Sequence, residues 1–489
     1  MEPVPNRKAS VAVDLGAQSC RVSLLRWPNG KPKISVVDRL LNAPLETTDG
    51  LRWDLEKILD GVMRGLGAAA ALAPEGIASV AIDGWAVDYV RLNENGQPTQ
   101  NPYCYRDPRT EAAEREVHAV VSPERLYALT GVQILRINTL YQLYADKLAR
   151  RDHGPWLLLP EYVAYRLGGR RVAEYTNATH TALVELGTLN WCRRIFDELG
   201  LDLNAAPEMV SSGTVIGTLR GQLAELPAFS GTKLIVAATH DTAAAVAGVP
   251  AAGDDWAFIS SGTWSLVGTV LPSPCVDREA RELNFTNLGG AGGTICFLKN
   301  VNGMWTLSQC MEEWERAGHP TSVAELVAAC EGLPRPPALI DVDEPQLLLP
   351  GNALEKINAQ LERLGQPPFQ REKAAIPRIG NLLLHSLAAR YAAVLRSIEQ
   401  ITGKRLRRLF IVGGGSQNHY LNLLTAERSG LTVLPGPVES TTIGNFAIQL
   451  AALDGDWSRS GGVVARSVAH YAEQLIGNSF ALSGDRKTD

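Results

Sequence analysis

Two aspartates in this 489-residue chain stand where a buried strand has no use for a charge. Asp14 closes the apolar run of "VAVDLGAQSC", and Gly16 turns the chain almost at once. Asp241 closes a second apolar run, in "LIVAATHDTAAAV", between His240 and Thr242 and among small apolar residues. An isolated carboxylate is expensive to bury, so such placements point to something the charge binds or does. A tight turn after a strand presents consecutive backbone N–H groups that can enclose a phosphate. A carboxylate beside it can hold Mg²⁺ through that ion's retained waters. Asp14, with the turn residues Ala17, Gln18, Ser19, Cys20 and Arg21, is therefore a candidate metal and phosphate site. Asp241 reads as a helix N-cap, because threonine and alanines follow it. A carboxylate fixed in that way and facing a cleft could orient a hydroxyl and take its proton during phosphoryl transfer.

Two further stretches could hold a nucleotide. "SSGTWS" places Gly262 and Thr263 between two apolar segments, a second strand–turn–strand unit able to clasp a phosphate chain. Gly413, Gly414 and Gly415 follow the apolar run "RRLFIV" and precede a helical stretch. Glycines there let a flat ligand approach the backbone, and the helix start that follows favours anions. No GxxxxGK[ST], GxSxG or HExxH is present, and no GxGxxG follows the first strand, so a nucleotide would not be held by a P-loop.

The elements that must position these residues repeat. "SVAVDL", "RVSLLRW" and "ISVVDRLL" read as hairpin-connected strands and predict an antiparallel sheet at the start of the chain. Leu55 to Leu72 has helical spacing, with Ile58, Val62, Leu66 and Ala70 on one face. "SVAIDGW" is another strand that ends in an acid and a glycine, and Asn95-Gly96 marks a hairpin turn after it. "WAFISS" and "WSLVGTV" restart the theme in the second half, and "TTIGNFAIQLAAL" reads as a late helix capped by Ser440 or Thr441. Each half thus carries a strand, a glycine turn and a strand near its start. Two related α/β domains, 1–250 and 251–489, follow, with the boundary in the Pro/Gly/Ala/Asp stretch "VPAAGDD".

Composition narrows the class. Apolar residues make up 45% and charged residues 20%, and the net charge is −5, so no bulk positive charge or basic tail serves nucleic acid. No apolar run is long enough for a membrane span, and the N-terminal residues lack a signal-peptide core. The seven cysteines show no CxxC pair and fit reduced cytoplasmic thiols.

The ordered set "VAVDLGA", "YRDPRT", "NTLYQL", "EYTNATHTALVEL", "THDTA", "SSGTWSLVG", "LKNVNGMW", "IVGGGSQN" and "GPVESTTIGN" resembles the FGGY carbohydrate kinases over nearly the whole chain. The resemblance implies two ribonuclease-H-like, actin-like ATPase domains flanking a cleft. It implies an ATP-dependent sugar kinase, with ATP and Mg²⁺ as cofactors and no nucleic-acid or membrane partner. On this basis Asp241 matches the catalytic base and Asp14 the acid near Mg²⁺. Ala17, Gln18, Ser19, Cys20, Arg21, Gly262, Thr263, Gly413, Gly414 and Gly415 match ATP positions. Asp83, Trp85, Ala86, His240, Asp241, Thr242 and Asn300 match sugar positions. The chain departs from the family at Gln18 and Cys20 in the first turn, and at Gly84 and Ala86 beside Trp85. It departs again at Arg136, where proline is usual, and at Ser308, where a glutamine is expected although Gln309 is adjacent. The residues alone leave open a kinase for another ketose or polyol (L-fuculose, xylulose, glycerol) and a non-catalytic actin-like sugar sensor.

Overall fold

The structure is a computed structural model and describes residues 7–262, 264–458 and 462–479. Thr263, one of the residues matched to ATP, lies outside the described residues. In chain order, the elements that bear on the site begin with β1 (Ala9–Leu15), β2 (Ser19–Arg26), β3 (Lys33–Leu41), α1 (Leu55–Leu72) and β4 (Ile77–Gly84). They continue with β5 (Val215–Thr218), β6 (Lys233–His240), α2 (Asp241–Ala247), β7 (Trp256–Ser261), β8 (Ser265–Leu271) and β9 (Ile295–Val301). The last are α3 (Ile376–Thr402), β10 (Arg408–Val412), α4 (His419–Ser429), β11 (Thr432–Pro435) and α5 (Ser440–Leu453). The chain divides into two compact units, one of residues 1–252, 271–297 and 440–489, the other of residues 253–270 and 298–439.

In the first unit the sheet order is β5-β6-β4-β1-β2-β3. β1, β2 and β3 form the antiparallel meander that the sequence predicts. The sheet as a whole is mixed rather than antiparallel, because β1 pairs in parallel with β4 and β4 with β6. Side chains alternate between the faces of a strand. Val11, Val13 and Leu15 face α1, where Ile58, Val62, Leu66 and Ala69 complete a core. Ala12 and Ala81 face the other side, where α5 packs through Ile443, Phe446, Ala447, Ile448 and Ala451. The large residues therefore sit on one face and the alanines on the other. Asp14 and Asp83, two residues beyond Ala12 and Ala81, fall on the alanine side.

In the second unit the strand order is β9-β8-β7-β10-β11. β7 pairs antiparallel with β8 and parallel with β10, and β10 pairs parallel with β11. This repeats the order β3-β2-β1-β4-β6 of the first unit, so the symmetry expected from the two strand–turn–strand units holds at the level of topology. The 27-residue α3 ends at Gly403, whose φ of 69° is the left-handed conformation that glycine adopts without a Cβ penalty.

Candidate active site

The three parallel strands of the first unit bring three acids to one edge. The β1–β4 register sets Asp14 opposite Asp83, and the β6–β4 register sets His240 opposite Gly84. Asp241 follows directly, as the first residue of α2. His240, not Asp241, occupies the cap position of that helix and makes no side-chain capping bond. The sequence reading of Asp241 as N-cap is corrected accordingly: its carboxylate lies in the first helical turn, where the helix dipole favours negative charge.

Asp14 is nearly buried and forms an ion pair with Arg21, its register partner on β2. Asp83 has no exposed surface. Burial is the main reason its carboxyl is held well above the usual range, and the neighbouring Asp14 is the next. Its Oδ2 accepts a hydrogen bond from Asn445 Nδ2 at 2.5 Å, while Oδ1 has no partner among the described residues. Asn445 is itself aimed from behind. Gln449 Nε2 donates to Asn445 Oδ1 at 2.7 Å and to Val11 O at 3.0 Å, and Ser79 Oγ donates to Gln449 Oε1 at 2.6 Å. With its oxygen taken by Gln449, Asn445 has only its NH₂ to offer Asp83.

α5 reaches this close because two glycines let it. A Cβ on Gly444 would lie 1.8 Å from Ala244 O, and one on Gly248 would lie 2.3 Å from Ser440 O. Asn445 and Gln449 are the functional residues that sequence reasoning missed. The available signal was two amides four residues apart in the otherwise apolar "TTIGNFAIQLAAL", a spacing that places them on one helix face.

Asp241 differs from the other two acids in access. Its side chain keeps 39% of its surface open. The protein around it still removes enough solvent to push the carboxyl up to about 6. Thr242 Oγ1 donates to Asp241 Oδ1 at 3.2 Å, and His240 Nε2 lies 3.2 Å from the same oxygen. Burial pulls His240 down to about 3, so the contact is the approach of a neutral imidazole and not an ion pair. The backbone here is held by two buried glutamates. Glu174 Oε2 accepts from Thr239 N at 3.0 Å and Thr176 N at 3.0 Å, and Thr239 Oγ1 donates to Glu161 Oε1 at 2.7 Å.

The first candidate phosphate turn is tight. Gly16 N donates to Ser19 O at 3.2 Å, and a Cβ on Gly16 would lie 2.4 Å from that oxygen, so only glycine fits. Asn42 staples the turn through Gln18 O and Gly16 O. Cys20 is buried, and burial pushes its thiol up to about 12, so this departure from the family is an inert side chain. Gln18 is exposed.

In the second unit the other two nucleotide candidates come together. Ser260 pairs with Val412, so the turn at Ser261 and Gly262 adjoins Gly413. Gly413 has a φ of +81°, and a Cβ on Gly415 would lie 2.0 Å from Ser261 Oγ. Gly414 has open space around the Cβ position. Asn300 lies on β9 of this unit. Ser308 is exposed, whereas Gln309 is buried, donates to Glu312 and accepts from Gly351 N at 2.9 Å, so its amide is committed internally.

Trp85 is 6% exposed and donates its indole N–H to Asp88 Oδ2 at 2.9 Å, with Trp53 donating to the same oxygen at 2.6 Å. Ala86 is half-buried. Val87 beside it has a φ of 72°, a strained value for a β-branched residue, held by Thr139 Oγ1 donating to its carbonyl at 2.7 Å. Arg136, the remaining departure, makes an exposed ion pair with Glu111.

Among the described residues no group of three or more His, Cys, Asp or Glu could hold a metal ion. One carboxylate with a second, unpartnered carboxylate oxygen on the next strand is an all-oxygen set. That suits Mg²⁺, which keeps several waters and leans on substrate phosphates. Asp14 fits that role. No helix among the described residues is long and apolar enough to cross a membrane.

Comparison with known proteins gives a consistent picture. Residues 9–248 match the N-terminal domain model of the FGGY family of carbohydrate kinases, and residues 257–453 match its C-terminal domain model. The rhamnulokinase of Enterococcus faecalis is 37% identical over 456 residues, 91% of this chain and 90% of that protein. The rhamnulokinase of Oceanobacillus iheyensis is 35% identical, covering 92% and 94%. In fold, the chain is similar to a xylulose kinase from Lactobacillus acidophilus, with a TM-score of 0.75 at 15% identity over 98% of this chain and 99% of that one. It is also similar to the Plasmodium falciparum glycerol kinase, with a TM-score of 0.72 at 13% identity over 95% and 92%. The chain belongs to the FGGY family of carbohydrate kinases.

Proposed function

We propose that this FGGY carbohydrate kinase transfers the γ-phosphoryl group of ATP to the 1-hydroxyl of L-rhamnulose, giving L-rhamnulose 1-phosphate and ADP. The observation that carries the sugar assignment is the 33–37% identity to several rhamnulokinases over about nine-tenths of the chain. The enzyme would act in the cytoplasm, in rhamnose catabolism.

Asp241 is the catalytic base. Its open surface gives a hydroxyl access, and its raised pKa, set by burial, matches a group that must accept a proton and release it. As the sugar oxygen bonds to the γ-phosphorus, its proton passes to Asp241. The bond from phosphorus to the β,γ-bridging oxygen breaks, and its electron pair leaves with ADP. His240, Thr242, Asp83, Trp85, Ala86 and Asn300 bind or frame the sugar. Ala17, Gln18, Ser19, Cys20 and Arg21 take ATP phosphates from the 1–250 domain. Gly262, Thr263, Gly413, Gly414 and Gly415 would take the nucleotide from the 251–489 domain, where backbone N–H donors would stabilise oxygens that gain charge in transfer. Asp14 would hold Mg²⁺, which supplies positive charge to the β- and γ-phosphate oxygens when bound.

The test is ADP release measured over a panel of L-rhamnulose, L-fuculose, xylulose and glycerol. Turnover highest on L-rhamnulose is expected, and a clear preference for another member of the panel would overturn the sugar assignment. Asp241→Asn, which keeps the shape and removes the base, should lower kcat by at least ~10²-fold. Sugar binding without any ADP release would instead support a sensor.

A further inference from the structure

The mechanism leaves one close contact of the base unused. His240 lies between Asp241 and a second imidazole, that of His180. His180 Nε2 is 3.0 Å from His240 Nδ1, and the ring centroids are 3.8 Å apart. His240 Nε2 is 3.2 Å from Asp241 Oδ1. A neutral imidazole carries one N–H. A base ready to accept a proton is an ionised carboxylate, and a bare nitrogen lone pair 3.2 Å from its oxygen would be repelled. His240 must therefore carry its proton on Nε2 and present a bare Nδ1, and that nitrogen accepts only if His180 Nε2 is protonated.

We infer that His180 is a positioning residue for the phosphoryl transfer: its Nε2–H, donated to His240 Nδ1, fixes the His240 ring with its Nε2–H edge beside Asp241 Oδ1 and leaves Asp241 Oδ2 to the sugar hydroxyl. The inference rests on the reading of Asp241 as the base. Thr242 Oγ1 donates to Oδ1, and His240 Nε2 approaches the same oxygen at 3.2 Å. Both imidazoles are held neutral, His240 by burial and His180 by burial with His240 beside it.

The segment that carries His180 is fixed on both sides. Asn138 Nδ2 donates to His180 O at 2.9 Å, and Thr179 Oγ1 accepts from Gly289 N at 3.0 Å. Ala182, with a φ of 58°, turns the chain away immediately after. The same stretch, through Thr176 Oγ1, accepts from His240 N at 3.4 Å. One segment thus holds His240 by its backbone and by its ring, so the ring cannot turn about χ2 without breaking the His180 bond. The reversed chain, with Asp241 donating to His240, needs a protonated Asp241, which could not accept the sugar's proton.

The test has two arms on the full-length enzyme. The first labels histidines with ¹⁵N and reads the tautomer of His240 by NMR at pH 8, without substrate. A proton on Nε2, with a pyridine-type Nδ1, is expected. A proton on Nδ1 would overturn the inference whatever the kinetics show. The second compares His180→Phe, which fills the site without a donor, with His180→Gln, which restores one. His180→Phe should lower kcat by about 10-fold, the upper scale of one lost hydrogen bond, with KM for ATP unchanged. His180→Gln should recover most of that loss. Equal kcat in the two variants, or a fall matched by a loss of ATP affinity, would mean a merely structural role and overturn the inference. Asp241→Asn separates the two readings. Near-normal turnover in that variant removes the base itself, whereas ~10²-fold loss there with parental His180→Phe kinetics removes only the positioning role.

Discussion

Adding one methyl group at Gly444 should disable the site through the helix packed behind it. A Cβ at this position would lie 1.8 Å from Ala244 O and 2.7 Å from Gly248 N, both backbone atoms of α2 and its end. Real Cβ contacts stop near 3.0 Å, so α5 and α2 must separate by about 1.2 Å. The next residue is Asn445. Displaced by that amount, its 2.5 Å bond to Asp83 lengthens toward about 3.7 Å, beyond hydrogen-bond reach. Overpacking costs roughly 1–3 kcal/mol, and a buried carboxyl stripped of its donor costs roughly 1–3 kcal/mol more. Gly444→Ala should therefore lower Tm by at least about 4 °C, the change expected from losses of this size in a large domain. It should lower kcat by about 10-fold or more as Asp83 moves beside Asp14. Thermal melting and coupled ADP release read the two effects. Gly67→Ala is the control. It sits within α1 with nothing near the Cβ position, so helix propensity should leave Tm unchanged or raise it, with turnover intact. Gly444→Ala with parental Tm and turnover would refute the close-packing argument and, with it, the role given to Asn445.

Three other outcomes follow from the same geometry. Asp241 must be ionised to act as a base, and burial sets its carboxyl at about 6, so kcat/KM should fall as pH drops through 6; activity undiminished down to pH 4.5 would contradict this. Glu161 is raised to about 7 by burial, so between the ordinary glutamate value of 4.5 and 7 the folded state holds a proton that the unfolded chain has lost. Stability should then fall with rising pH over that interval, by up to about 1.4 kcal/mol per unit from this group. Glu161→Gln should remove that share of the slope, Glu174 retaining its own, and identical Tm–pH slopes in parent and variant would exclude it. Asp14→Ala should raise the Mg²⁺ concentration needed for half-maximal turnover, and unchanged metal dependence would count against its role.

Most of the local structure was legible because its causes are local. Short apolar runs marked β1, β4 and β7, and a 3.6-residue apolar stripe marked α1, with Ala69 rather than Ala70 completing its buried face. The glycine turns were legible as turns because Gly16 permits no side chain there. The parallel pairing of β1 with β4 was not legible, since it joins residues as far apart as Asp14 and Asp83, a return that no turn signal encodes. Asn445 was harder still. Its partner Asp83 is 362 residues away, and only the packing of α5 on the alanine face joins them. His180 stood inside a recognised motif, but its value comes from a neighbour 60 residues later.

What the structure adds to the motif is a way to tell three similar acids apart. Asp14, Asp83 and Asp241 each lie at the end of a parallel strand or just after one. Asp14 is spent on Arg21 and keeps little exposed surface, so it can anchor a cation but offers a hydroxyl no open face. Asp83 has no exposed surface, and one oxygen is taken by Asn445, so no sugar proton reaches it without movement of the sheet or α5. Asp241 alone combines an open side chain with a carboxyl raised toward neutrality, and Thr242 Oγ1 donates to its Oδ1 with His240 Nε2 3.2 Å from the same oxygen. A proton acceptor in phosphoryl transfer must be reachable, ionised near neutral pH and fixed in direction. Of the three, only Asp241 meets all these conditions, and it meets the last through His240 and Thr242.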